Sequence, residues 1–501
     1  MAKRQSIKMI TGADIRAGHP TNNSHQTDYY YTRLANRLAD SFRKLDVSFG
    51  WNTENFIQYS SVILANYMED IVADSGLWRT FSSLCQQHLG TPVPLYHDDE
   101  EYYPDEPSLA AIRFLVWHTA NEMTNTVYHA DTGRIWDMAQ SAYDLLDEEF
   151  ELAPINEQLV SETNARLGLA SMNFDSLRNA MKWLYRSYLI RCTKTEELMQ
   201  MRVEEAERTG IMPDKGMHMY YAQTHCIFAY KIGPLALYTK EWLAALMRTK
   251  DMEQEAHDVE AIEVTTFGTW KYDFKDDTTL HLVKTDGTEI DILADELNMS
   301  TAMLQCYDGC GASFVRYQGE WHLNGIMYPI EDLHEKWLAM CEKDPMYQRP
   351  GTKPLTAEHA LRQTKGKRIA YFSDRNELKK YLHDHLNFPF EHLRFVDEKL
   401  DGQPVLFVDE TSKTHVLQFF YGYAPCIADP NNPFYDPEYA KEEVDEMLRD
   451  TSISTALMQY LLRNNFLPDL SGSSLFCHTA TPSEKSSDTQ FYLRYLRQED
   501  Y

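Results

Sequence analysis

The chain has 501 residues, of which 43% are hydrophobic and 25% charged, a globular composition long enough for several domains. Its 76 acidic and 48 basic residues give a formal net charge of −28. This charge repels phosphate backbones and anionic membrane surfaces, so it disfavours nucleic-acid-binding and membrane-surface classes of protein.

Three further features predict a cytoplasmic protein. The basic N-terminal residues are followed by no apolar stretch typical of a secretory signal. No run of about 18 uncharged apolar residues occurs, which predicts no membrane-spanning helix. The eight cysteines are scattered through the sequence, which favours free thiols over a disulfide framework.

Residues 1–250 are predicted to form a helical domain. Thr27 is a typical N-cap residue, and apolar side chains follow it at helical spacing. Residues 109–130 are apolar nearly all round at their start, which predicts a helix at the centre of its bundle. Gly233-Pro234 separates two more predicted helices, 217–230 and 235–248, because proline cannot continue a helix.

The hydrophobic period then changes, and residues 257–330 are predicted to form a small β module. Val259–Val264 alternates between apolar and polar residues, as a half-buried strand does. Asp286-Gly287 separates two more alternating runs, which is a strong hairpin signal. Gln318-Gly319-Glu320 marks another tight hairpin. Several short strands in so short a segment predict a barrel-like curl.

The remainder is predicted as a helix and linker over residues 331–365 and a C-terminal α/β portion over residues 366–501. Strands are expected at Arg368–Phe372, Val405–Val408 and His415–Phe420. The predicted fold class is therefore α+β with several domains, in which the β module separates a helical part from an α/β part.

Several short motifs carry a family resemblance. They are Lys3-Arg4, Thr27–Tyr31, the hairpin Gly319–Gly325, Asp429–Pro433 and Leu467–Asp469. Together they resemble an uncharacterised Bacteroidetes protein family that is classed as a domain of unknown function. The resemblance implies a bacterial cytoplasmic protein, brings no assigned activity and transfers no catalytic residue.

His118 and Glu122 are the candidate catalytic residues. They lie four residues apart on one face of a predicted helix, where an imidazole and a carboxylate can bind a metal or form an acid–base pair. The zincin spacing is absent, so further ligands must come from elsewhere in the chain. These residues support a metal-dependent hydrolase or nuclease, and the alternative is a polar stripe that packs against a neighbouring helix.

Cys306, Cys310 and His322 are candidate zinc ligands within the β module. Two cysteines that flank a turn can contribute two ligands, but a second cysteine pair is missing. The alternative is an ordinary loop, and no cofactor is predicted.

A basic zone interrupts the acidic chain at Arg362, Lys365, Lys367 and Arg368. Aromatic residues follow it, so the zone could contact nucleic acid. A solvated linker and helix face is the alternative, which the acidic net charge of the whole chain favours.

Trp270, Tyr317 and Trp321 are the candidate binding residues of the β module. Aromatic side chains on a small sheet supply a large contact area, which suits recognition of a protein partner. The leading functional hypothesis is therefore a non-enzymatic binding or interaction protein with an unknown protein partner. The alternative is that these rings form the core of the module itself.

Overall fold

The computed structural model describes residues 9–45, 48–49, 53–97, 101–124, 126–168, 172–209, 215–342, 356–386, 402–412, 415–498 and 501. Its contacts divide into two compact units. The first is drawn from residues 1–284, 288–336 and 475–499, and the second from residues 285–287, 337–474 and 500–501. Most of the β module thus lies inside the first unit, and residues 475–499 return to that unit.

Helices and short antiparallel sheets alternate along the chain, which makes the fold α+β. The α-helices are α1 (Gly12–Arg16), α2 (Asp28–Lys44), α3 (Thr53–Ala73), α4 (Leu77–Leu89), α5 (Leu109–Thr124), α6 (Gly133–Phe150), α7 (Glu157–Arg166), α8 (Phe174–Leu184), α9 (Thr193–Thr209), α10 (Lys215–Ala229), α11 (Thr239–Arg248), α12 (Glu253–Glu260), α13 (Thr301–Leu304), α14 (Leu333–Cys341), α15 (Ala357–Gln363), α16 (Arg375–Leu386), α17 (Pro437–Arg449), α18 (Thr455–Arg463) and α19 (Pro482–Leu496).

The strands are β1 (Lys231–Ile232), β2 (Leu237–Tyr238), β3 (Glu263–Val264), β4 (Gly268–Phe274), β5 (Thr279–Lys284), β6 (Glu289–Leu293), β7 (Gly309–Ala312), β8 (Phe314–Tyr317), β9 (Glu320–Leu323), β10 (Tyr328–Ile330), β11 (Ile369–Tyr371), β12 (Val405–Val408) and β13 (Leu417–Phe420). Short 3₁₀ helices lie at Ala294–Leu297, Ala424–Cys426 and Leu470–Gly472. None of the described helices is both long and apolar enough to cross a bilayer.

Helix α5 is at the centre of the helical part, as its sequence predicts. Residues 110–121 are all buried, because the helix is covered on every side. One neighbour is α19, whose Tyr495 ring lies 5.1 Å from the ring of Trp117. The helix at the end of the chain therefore helps to bury the middle of the helical part.

Helix α19 is absent from the sequence prediction. Its start carries clear signals, since Thr481 accepts a hydrogen bond from the Glu484 amide and Pro482 occupies the first helical position. Nearly all of residues 488–496 are buried in the first unit. The sequence of α19 does not show a simple apolar face, because the polar residues Asp488 and Arg494 are buried together with the apolar ones.

The predicted break at Gly233-Pro234 is confirmed, but the second helix begins later than predicted. Residues 231–238 form a small hairpin of β1 and β2, and α11 starts at Thr239. Gly233 has φ +72° and Ala236 has φ 49°, so the backbone turns through the left-handed region before the helix begins. The prediction of a helix from residue 235 is therefore wrong.

The β module forms two open sheets, and the predicted barrel-like closure is wrong for the described residues. One sheet has the order β10-β7-β4-β5-β6 and the other has the order β3-β8-β9. The chain passes from the first sheet to the second at Ser313, between β7 and β8. Both sheets bury side chains in one shared core, including Trp270, Phe314 and Leu323.

Both predicted hairpins are confirmed. Val283 of β5 pairs with Glu289 of β6 around a turn in which Gly287 has φ +90°. Tyr317 of β8 pairs with Glu320 of β9. The predicted strand Val259–Val264 is wrong except for its last two residues, because Ala256 and Val259 pack inward from helix α12, three residues apart.

The second unit contains the sheet β11-β12-β13, which fits the predicted strands. Leu406 and Val408 of β12 share a core with Leu378 of α16. The predicted linker contains helix α15, whose N-cap is Thr356. Residues 343–355 of the predicted helix and linker lie outside the described residues.

Candidate functional site

A cleft of about 360 Å³ opens on the helical part of the first unit. Helix α3 supplies one wall through Asn55, Gln58, Tyr59, Val62 and Asn66. These positions recur every three or four residues, so they share one face of the helix. The volume lies in the range of small-molecule sites.

Three other segments complete the cleft. The start of the described chain contributes Ile10 and Asp14, and Met123 comes from the end of α5. The connection between α8 and α9 contributes Arg186, Tyr188 and Arg191. The lining thus combines apolar and tyrosine side chains, the side-chain amides of α3 and two guanidinium groups that come from one connection.

The charges that line the cleft are unequal, with two guanidinium groups against the single carboxylate of Asp14. Asp14 Oδ2 already accepts hydrogen bonds from Thr11 N at 2.8 Å and Thr11 Oγ1 at 2.7 Å. Arg191 Nε lies 2.6 Å from Glu196 Oε1, in a pair that is about half exposed. Such exposed pairs are weak, so Arg191 can exchange its partner at little cost.

Arg186 is the most available cation in the cleft. It is exposed, and among the described residues its side chain has no hydrogen bond or ion pair. Residues 187–190, which follow it, are buried and hold the backbone in place. A planar guanidinium in this position can bind a carboxylate, sulfonate or phosphate group with two parallel hydrogen bonds.

Two tyrosines give the cleft rigid walls. Burial raises the pKa of Tyr59, which keeps its hydroxyl neutral. Tyr188 donates a hydrogen bond from its hydroxyl to Asp70 Oδ2 at 2.9 Å, and burial raises the pKa of Tyr188 well above its usual value. Both rings are therefore neutral surfaces on which an apolar ligand body can pack.

A buried polar network supports the cleft from behind. Glu69 is 1% exposed, and its carboxylate lies 2.9 Å from His19 Nε2 and accepts from Asn156 Nδ2 at 2.7 Å. The His19 and His25 rings stack with centroids 5.1 Å apart. These contacts tie the segment after α1 to α3 and α7, so the cleft is formed by fixed elements.

The predicted catalytic residues His118 and Glu122 are joined through a tyrosine. His118 Nδ1 lies 3.1 Å from Tyr495 Oη, and that hydroxyl donates to Glu122 Oε1 at 3.1 Å. Burial lowers the pKa of His118. Glu122 also accepts a hydrogen bond from the backbone N–H of Thr193. The pair is thus part of a hydrogen-bond chain that runs through Tyr495 of α19.

The predicted aromatic residues of the β module point largely inward. Trp270 is 0% exposed, and its Nε1 donates to Ala312 O at 3.0 Å. Tyr317 is buried and its hydroxyl donates to Met172 O at 3.3 Å. Trp321 is half-buried and packs against the same core.

The predicted zinc ligands of the β module are not brought together. Cys310 is buried in the core, whereas Cys306 is exposed. His322 lies 3.0 Å from Glu296 Oε2 through its Nδ1 atom and stacks on Phe174. All eight cysteines of the chain are free thiols.

The predicted basic zone lies in the second unit. Arg362, Lys365 and Lys367 are exposed, and Arg362 pairs with Glu358 at 3.3 Å. Arg368 instead packs over the rings of Phe407 and Tyr460 and lies 3.6 Å from Glu410. Two of the four cations, Arg362 and Arg368, thus have partners within their own unit.

The cleft residues are absent from the sequence prediction because they come from four separated segments. One signal was present, since Arg186 and Arg191 flank a segment of only four residues, three of which are large aromatic or aliphatic residues. Exposed cations at both ends of a buried connection favour a functional surface.

Fold and cleft together define a class: an α+β protein with a preformed, ligand-sized cleft in its helical part. The chain belongs to the family described as "Protein of unknown function (DUF3843)", whose model matches residues 12–270 and 345–497. The two matched segments include α3, Arg186 and Arg191, and they flank most of the β module. No curated protein and no solved structure matches the chain.

Proposed function

We propose that this chain is a non-enzymatic binding protein whose ligand is a small organic anion with an apolar body. The observation that carries the proposal is the position of Arg186, an exposed arginine that lines a cleft whose walls include apolar and tyrosine side chains. The apolar body would lie between Tyr59, Val62 and Met123, and the anionic group would bind the guanidinium.

The side chains that line the cleft favour binding over catalysis. Its ionisable groups are Asp14, the two tyrosines and the two arginines, and the described lining contains no histidine, cysteine or serine. Both tyrosine hydroxyls have raised pKa values, so neither is a ready base near neutral pH. A nucleophile with an adjacent base is therefore not found among the described lining residues.

The β module gives less support to a binding role than the cleft does. A contact face built on Trp270 and Tyr317 would require both side chains to leave the core, because both are buried. Burial of a tryptophan contributes several kcal/mol, about 3–5 by the usual loss on truncation to alanine. The partner proposed here is accordingly a small molecule in the helical part of the first unit.

The test uses 1-anilinonaphthalene-8-sulfonate, an aromatic sulfonate whose fluorescence rises when it enters an apolar site. Equilibrium titrations compare the full chain with Arg186→Gln and with Arg316→Gln. Arg316 is a matched control because it is an exposed arginine of the same unit, paired with Glu263. We expect Arg186→Gln to weaken binding by about tenfold or more, the loss of one charge-assisted interaction, and Arg316→Gln to leave it unchanged. Equal affinities for all three proteins would contradict the proposal.

A further inference from the structure

A second group of side chains lies away from the cleft, where residues 475–499 return to the first unit. It comprises Asp131, Cys477 and His478, each of which offers a ligand atom, and these atoms all lie within 4.8 Å of one another. Among the described residues it is the one group of three such side chains that meets this criterion.

Short polar contacts hold the three side chains. Asp131 Oδ1 lies 3.2 Å from Cys477 Sγ, and Asp131 Oδ2 lies 3.0 Å from His478 Nδ1. Asp131 Oδ2 also accepts from the His478 backbone N–H at 2.7 Å. The backbone contact fixes the carboxylate, so the thiol and the imidazole meet its two oxygens from adjacent positions in the chain.

The surrounding backbone places these residues independently of their side chains. Ala130 N donates to Leu475 O at 3.3 Å, which brings the two segments side by side. The Tyr492 hydroxyl donates to the same carbonyl at 2.7 Å, and this anchors the second segment on α19. The site is therefore built by the fold before any ligand arrives.

We propose that Asp131, Cys477 and His478 form a Zn²⁺ site. One thiolate, one imidazole and one carboxylate are a donor set that zinc accepts, and three protein ligands leave the fourth tetrahedral position for water. Cys477 is 2% exposed, whereas the His478 side chain is 74% exposed, so the ion has an open approach on the histidine side.

The proton balance of zinc binding is simple. The thiol of Cys477 loses its proton to solvent, and the thiolate sulfur then donates its electron pair to the metal. His478 binds as the neutral tautomer that carries its proton on Nε2, so that Nδ1 donates its lone pair, and the Asp131 carboxylate donates an oxygen. Binding thus releases one proton per ion and replaces the two contacts between the carboxylate and its neighbours with metal–ligand bonds.

A second aspartate–histidine pair in the structure has a similar arrangement but no cysteine beside it among the described residues. His334 Nδ1 lies 2.8 Å from Asp308 Oδ2, and the His334 backbone N–H donates to the same oxygen at 2.8 Å. This pair repeats the carboxylate–imidazole arrangement with no cysteine ligand. It is therefore the natural control for a site whose affinity depends on the sulfur.

The test measures metal binding by the purified full chain after treatment with a chelator. Zinc content after dialysis against Zn²⁺ is expected to be about one ion per chain. Titration with Co²⁺ is expected to give a thiolate-to-cobalt charge-transfer band in the near ultraviolet. Cys477→Ser should abolish that band. His478→Gln should weaken the affinity for zinc by more than about tenfold, because even residues that only orient the ligands change metal affinity about 10- to 100-fold.

The controls are His334→Gln and Cys306→Ser, which change the thiol-free pair and an exposed cysteine. Both are expected to keep the zinc content and the cobalt band. His478→Gln keeps the test decisive even if Cys477→Ser fails to fold, because its side chain is exposed. The proposal would be overturned if zinc binding survived in both His478→Gln and Cys477→Ser. Equal loss of zinc binding in Cys306→Ser would also overturn it, and so would the absence of zinc binding by the unaltered chain.

Discussion

The hydroxyl of Tyr188 donates a hydrogen bond of 2.9 Å to the buried carboxylate of Asp70, and this bond joins a wall of the cleft to the end of α3. Asp70 is 3% exposed and also accepts from the Trp78 amide at 2.6 Å. One carboxylate thus organises the α3–α4 turn and the connection that carries both cleft arginines.

Tyr188→Phe is expected to lower the free energy of unfolding by about 1–2 kcal/mol, because a buried acceptor loses a partner while the ring remains. Urea denaturation at neutral pH measures the change. Tyr29→Phe is the matched control, since Tyr29 is 79% exposed, and it should leave stability unchanged. Equal midpoints for the Tyr188→Phe variant and the unaltered chain would show that the bond contributes nothing.

The ion pair that joins α2 to α3 predicts a pH effect. Arg43 Nη2 lies 2.7 Å from Glu54 Oε1, and this hydrogen bond lowers the pKa of Glu54 below 4.5. A carboxyl whose folded pKa is depressed contributes stability above its unfolded pKa and loses it as pH falls through the folded value.

Glu54→Gln should therefore lower the urea midpoint at pH 7, by the equivalent of about 0.5–1 kcal/mol for a pair that is partly exposed. The difference from the unaltered chain should shrink as pH falls below about 4.5, the ordinary glutamate value. A difference that stays constant from pH 7 to pH 3.5 would contradict this assignment.

Gly309 allows β7 to approach its neighbours closely. A Cβ atom at this position would clash with Leu333 and would lie 2.6 Å from the carbonyl oxygen of Trp270. Because that oxygen belongs to the backbone of β4, it cannot rotate away. Gly309→Ala is expected to lower the unfolding free energy by about 1–3 kcal/mol. Gly133→Ala is the control, since no atom lies within 4 Å of its Cβ position and its φ is not positive, and it should be tolerated.

Trp270 distinguishes a core role from a contact role. Trp270→Ala should cost about 3–5 kcal/mol, because it removes a fully buried ring and its hydrogen bond to Ala312. Trp321→Ala should cost clearly less, since that ring is half-buried. Thermal unfolding of both variants measures which substitution costs more stability. A larger loss of stability in Trp321→Ala than in Trp270→Ala would contradict the core assignment of Trp270.

The sequence predicts best where a local signal decides the structure. Asp286-Gly287 fixes a hairpin because both residues tolerate a positive φ, and the apolar start of α5 indicates a helix covered on all sides. Local patterns fail where the tertiary structure decides. The residues Val259–Val264 alternate like a strand, yet burial of Ala256 and Val259 keeps the first part in helix α12.

The cleft and the Asp131 cluster lay beyond prediction for a similar reason. Residues 10, 59, 123 and 186 become neighbours only when four separated segments pack together. Asp131 and Cys477 meet because α19 returns to the helical part, and the polar residues of α19 conceal its burial. The spacing of residues in the sequence does not predict such contacts, because they depend on which helices lie side by side.

The most direct test of the anion-binding cleft compares two probes that differ only by one sulfonate group. 1-Anilinonaphthalene-8-sulfonate carries the sulfonate, and N-phenyl-1-naphthylamine is the same aromatic body without it. Titration calorimetry or fluorescence gives the dissociation constants of both probes for the unaltered chain and for Arg186→Gln. We predict that the unaltered chain prefers the sulfonate by about tenfold or more and that this preference disappears in Arg186→Gln. A preference of the same size in both proteins, or tighter binding of the neutral probe by the unaltered chain, would contradict it.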